Sequence, residues 1–97
     1  MTVPNAVMQF AKDQEAMYIE TSPDWNGKKM WLMVFYDPYE EEIPIIGTPQ
    51  YIEESQGNVR LVFDEEAEKY LHYLSKNYEY DEDDEMIGFD SKLVKVE

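Results

Sequence analysis

The sequence predicts a single α+β domain over residues 1–97, with a small, mainly antiparallel sheet of about four to six strands, two hairpins and two helices. Three observations predict it. Strand-forming runs stop at the turn sequences Ser22-Pro23-Asp24-Trp25-Asn26-Gly27 and Ser55-Gln56-Gly57-Asn58, each followed by a second such run. The clearer of the two helices, at about 65–77, has apolar residues at helical spacing. A chain that is 43% hydrophobic and 14% aromatic has enough apolar surface for one core, although a domain this short buries only about 60 to 65% of its unfolded surface.

Taken in order, Val3, Val7, Phe10 and Ala11 recur at helical intervals, with Pro4 where a first turn tolerates it, so a short helix is expected to about Glu15. Met17 to Thr21 reads as a strand. Its partner, Lys28 to Tyr36, contains Met30-Trp31-Leu32-Met33-Val34-Phe35-Tyr36, apolar at every position, the pattern of a strand covered on both faces. Two modest helices most simply cover one face, so the run also predicts a homodimer. Pro44 and Pro49 mark 43–49 as loop or edge, and a hairpin of Gln50 to Glu54 with Val59 to Phe63 follows. Asp64 is the expected N-cap of the second helix, whose buried stripe is Ala67, Tyr70, Leu71 and Leu74, with Glu65 and Lys69 as an i,i+4 pair. Met86 to Phe89 and Leu93 to Val96 read as short strands joined near Asp90-Ser91.

Charge narrows the function classes. Formal net charge is −14; residues 1–36 hold four acids and three lysines, whereas 37–97 hold 18 acids against five bases, among them the sole arginine, Arg60. Direct binding to nucleic acid or to an anionic membrane is disfavoured, because both need clustered Lys and Arg. The absence of cysteine removes thiolate chemistry and cysteine-ligated metals, and suits a reducing compartment. Without a secretory pattern at the N-terminus or an apolar run of about 18 residues, a cytoplasmic location is expected.

No catalytic, cofactor or metal residues are assigned. His72 is the only histidine, one helical turn after Glu68, and has no placed nucleophile beside it. The run 79–85 has six carboxylates in seven positions but fails the EF-hand test: from Asp83, Ile87 falls fifth and Val94 twelfth, where oxygen ligands belong. Acid interleaved with tyrosine remains. The expected partner-binding residues are Tyr78, Glu79, Tyr80, Asp81, Glu82, Asp83, Asp84 and Glu85, with Glu40, Glu41 and Glu42 as a second cluster. Carboxylates accept bidentate arginine, tyrosine adds stiff contact area, and acids about 6 to 7 Å apart imitate phosphate charge. The alternative reading of the tyrosines is amphipathic core and rim.

In composition alone, with no shared motif, the chain is similar to the small acidic inhibitors that phages and mobile elements use against nucleic-acid enzymes. That likeness implies a non-catalytic, DNA-mimic-like protein occupying a Lys/Arg-rich groove on a nucleic-acid-handling or defence enzyme. The alternatives are an antitoxin or immunity protein for a basic toxin, and an accessory protein or enzyme of another kind.

Overall fold

The computed structural model describes residues 3–39, 47–79 and 86–96. Its elements are α1 (Asn5–Asp13), β1 (Tyr18–Trp25), β2 (Lys28–Val34), β3 (Tyr51–Ser55), β4 (Asn58–Val62), α2 (Asp64–Asn77) and β5 (Leu93–Lys95). The five strands form one antiparallel sheet in the order β4-β3-β2-β1-β5. The α+β class, the two hairpins and both helices agree with the sequence reading.

The hairpins turn where glycine permits. Asn26-Gly27 and Gln56-Gly57 all have positive φ (54, 76, 53 and 83°), the two-residue arrangement whose twist suits a right-handed ribbon. Pro23, expected in the turn, lies instead within β1. The register slips by one residue between Ser22 and Trp25, and this bulge tolerates a residue without an N–H.

Strand alternation divides the core into two layers. Ile19, Trp31, Met33 and Ile52 pack with Val7, Ala11 and Ala16 of the α1 segment. On the opposite face Met30, Tyr51 and Val62 pack with Ala67, Tyr70 and Leu74 of α2. The apolar part of β2, Met30 to Val34, therefore packs against one of the chain's own helices on each face, which removes the argument from which a homodimer was inferred. Trp31 Nε1 is buried without a hydrogen-bond partner among the described residues. Such an orphan costs about 1–3 kcal/mol.

Three local readings are corrected. Helix α1 ends at Asp13, not near Glu15: Gln14 is the C-cap, Glu15 takes φ 64°, and the Ala16 and Glu15 N–H groups donate to the Ala11 and Lys12 carbonyls. This is a Schellman motif with glutamate where glycine is usual, so no sequence signal marked it. Asp64 is not the cap of α2. Only Phe63 separates β4 from the helix, so Phe63 is the N-cap without a side-chain cap bond, and Asp64 makes the reversal at φ 49°. Finally, residues 86–89 do not form a strand. Only Met86 makes a bridge, Gly88 turns at φ 87°, and β5 pairs with β1 instead.

Candidate functional site

The sole arginine is consumed within the fold. Arg60 on β4 donates from Nε and Nη2 to Glu53 of β3 (both 2.9 Å) and from Nη1 and Nη2 to Glu66 of α2 (both 2.6 Å). Lys28 adds a third cation–carboxylate contact at 3.4 Å to Glu53, whose side chain is 8% exposed. Hydrogen bonding to Glu66 and then Glu53 pushes the Arg60 pKa above its ordinary value, and the same bond holds the Glu66 carboxyl below the usual range. A further ion pair, Lys92–Asp90, lies at the surface. The expected Glu65–Lys69 pair does not close. His72 lies on the exposed face of α2, where no ion pair with Glu68 forms.

Of the seven described tyrosines Tyr51 and Tyr70 are buried, and Tyr18, Tyr36, Tyr73 and Tyr78 are half-buried. Tyr70 is fully buried; its hydroxyl donates to the Pro23 carbonyl at 2.6 Å and lies 2.6 Å from Ser22 Oγ. A phenol has one proton, so Ser22 is the donor in the second bond. Burial pushes the Tyr70 pKa well above its ordinary range, with the Ser22 bond opposing. Trp25, Tyr51 and Tyr73 surround this ring at 5.3, 4.8 and 6.3 Å between centroids. Trp25 thus folds back over the hairpin, half-buried against Tyr70. Tyr39 is the exposed exception, edge-on to Tyr18 at 6.1 Å.

Of the expected partner-binding residues, Tyr78 and Glu79 are described. Glu40, Glu41, Glu42, Tyr80, Asp81, Glu82, Asp83, Asp84 and Glu85 lie outside the described residues. Tyr78 is the C-cap of α2, half-buried, with its ring 6.4 Å from that of Phe89. Glu79 is exposed, and its carbonyl accepts the Ile87 N–H at 2.7 Å. The two flanks of the acidic run are therefore joined beside the C-terminal end of α2. Exposed Asp64, Glu65 and Glu68 stand at the other end of that helix.

Between α2 and the 86–93 segment lies a cleft of about 520 Å³. Its floor is the α2-facing side of the sheet, with Glu20, Ser22, Leu32, Tyr51 and Leu93; Leu71 and Leu74 form one wall, and Met86, Phe89, Asp90 and Ser91 the other. No family model, curated protein or solved structure matches this chain.

Sequence reasoning missed the cleft because its floor and walls come from segments up to about 70 residues apart, from Glu20 of β1 to Ser91. The one local signal was the polar alternation of Tyr18, Glu20 and Ser22 in β1. Period-two alternation identifies a strand's two faces but not which of them a helix will later cover.

Proposed function

We propose that the protein is a non-catalytic acidic binder that occupies a basic groove on a nucleic-acid-handling or defence enzyme and competes there with nucleic acid. The observation that carries this reading is the separation of charge in the fold. Arg60 and Lys28 pair with Glu53 and Glu66, while Asp64, Glu65 and Glu68 face solvent on α2 beside Lys69 and Lys76, and Glu79 does so just beyond the helix. Glu65 and Glu68 lie within one turn of the helix, with neighbouring Cβ atoms about 5–6 Å apart, and so concentrate negative charge at one end of it. The proposal places the partner-binding surface on the Tyr78–Glu85 segment, with Glu40, Glu41 and Glu42 as a second contact. Such a surface steers a Lys/Arg-rich partner and speeds encounter more than it deepens affinity.

The test is capture of host proteins on the immobilised protein at low salt, followed by two separate challenges. Partners released steeply as salt rises toward about 0.5 M, where the Debye length falls to a few ångströms, and displaced by duplex DNA, support the reading. Partners held through both challenges contradict it.

A further inference from the structure

One edge of the sheet is left open in a way that the other is not. The β3–β4 hairpin closes through a two-residue turn, so Ser55 and Asn58 exchange ladder bonds, and by alternation Glu53 with Arg60 and Tyr51 with Val62 do so too. Val59 and Leu61 therefore turn their N–H and C=O groups away from β3, and among the described residues nothing bonds to those groups. Their side chains lie on the α1 face, and Phe63, still extended at φ −148° and 48% exposed, continues that row by alternation. Just past the end of the strand stand Asp64 and Glu65, both exposed and neither held in an ion pair among the described residues. The opposite edge, β5, is only three residues long and is bracketed by Lys92 and Lys95, charges of the kind that discourage strand addition. β4 contains neither lysine nor proline.

We propose that β4 receives an extended segment of a partner protein as an added antiparallel strand. The segment is apolar at the alternate positions beside Val59, Leu61 and Phe63, and it carries Lys or Arg at its N-terminal end, which antiparallel pairing brings to Asp64 and Glu65. In this mode of recognition the added main-chain bonds supply affinity and the alternate side chains supply specificity. A second copy of the chain is a poorer occupant. Antiparallel pairing of two β4 edges about their middle residue sets Arg60 against Arg60, and it joins two chains that each carry a net charge of −14. The inference goes beyond the acidic surface around Tyr78 and Glu79 and does not depend on it.

The test is a chemical-shift and amide-exchange titration of the isotopically labelled protein with the peptide acetyl-Lys-Lys-Val-Thr-Val-Thr-Val-Thr-amide, whose valines oppose Phe63, Leu61 and Val59 in turn. Saturable shifts and slowed solvent exchange are expected at the Val59 and Leu61 amides. The same peptide methylated on the main-chain nitrogens of its last two valines keeps every side chain but cannot donate to the edge, and should bind at least about tenfold more weakly. Val59→Pro removes one outward N–H and no ladder bond, and should weaken binding of the unmodified peptide about tenfold; if that variant does not fold, the methylated peptide on the wild type gives the same reading. Asp64→Asn together with Glu65→Gln should weaken binding roughly threefold, the scale of exposed ion pairs. Equal binding of the methylated peptide, or shifts confined to the flanks of the acidic run, would overturn the proposal. So would a doubled mass on concentrating the free protein, with the Val59 and Leu61 amides becoming protected, since the edge would then belong to a second copy. None of these results would touch salt-sensitive capture of a partner by the acidic surface, and failure of that capture would leave the β4 amides as the separate reading.

Discussion

Arg60 shows how single residues set the balance in this protein. In an anionic chain an arginine shared by two carboxylates offsets one of their two negative charges and ties β3, β4 and the start of α2 together. Replacing it with Met leaves Glu53, 6% exposed, facing only Lys28. The expected cost is about 1–3 kcal/mol, the penalty for a poorly satisfied buried polar group. The variant should also change the acid limb of stability. The Glu66 pKa is depressed in the fold, so its contribution is present above the unfolded value of about 4.3 and is lost as pH falls through the lower folded value. Urea midpoints of wild type and Arg60→Met between about pH 6 and 3 should therefore converge as Glu66 protonates. A gap constant across that range would contradict the assignment.

Among the elements, those with local chemistry were legible. Asn26-Gly27 and Gln56-Gly57 announce their hairpins, and Ala67, Tyr70 and Leu74 mark the buried side of α2. The ends that were misread are those where an unusual residue takes a left-handed conformation: Glu15 after α1 and Asp64 before α2. A left-handed non-glycine residue gives no compositional signal, and neither does a bulge that admits Pro23 to a strand. The same geometry gives opposite predictions for two glycine exchanges. Glu15→Gly should stabilise by roughly 0.5–1 kcal/mol by relieving the Schellman position. Gly57→Ala, at φ 83° with open space around a new Cβ, should destabilise by about 1–2 kcal/mol from backbone strain alone. Thermal melts check both, and equal signs would contradict the backbone account.

At the scale of the whole molecule, opposite-face helices and uneven charge have separate consequences. With both faces of β2 covered, light scattering should give the monomer mass of 11.5 kDa at micromolar concentration, and a doubled mass would point to an interface outside the two core layers. At net −14 the fold works against its own field, so the melting temperature should rise from low to physiological salt, where screening acts within about 8 Å. A flat or falling response would mean that the carboxylates are already paired. The charge partition was legible in composition, whereas the cleft beside α2 was not, since it exists only once β1, β5 and α2 are brought together. The most direct test of the central claim, that the acidic surface binds a basic partner, is the association rate of the captured partner with a variant in which Asp81, Asp83 and Asp84 are replaced by Asn, measured across salt concentration. The account predicts slower association and a shallower salt dependence than wild type, with dissociation changed little because exposed ion pairs are each worth about 0–1 kcal/mol. A wild-type rate with a wild-type salt slope would contradict it.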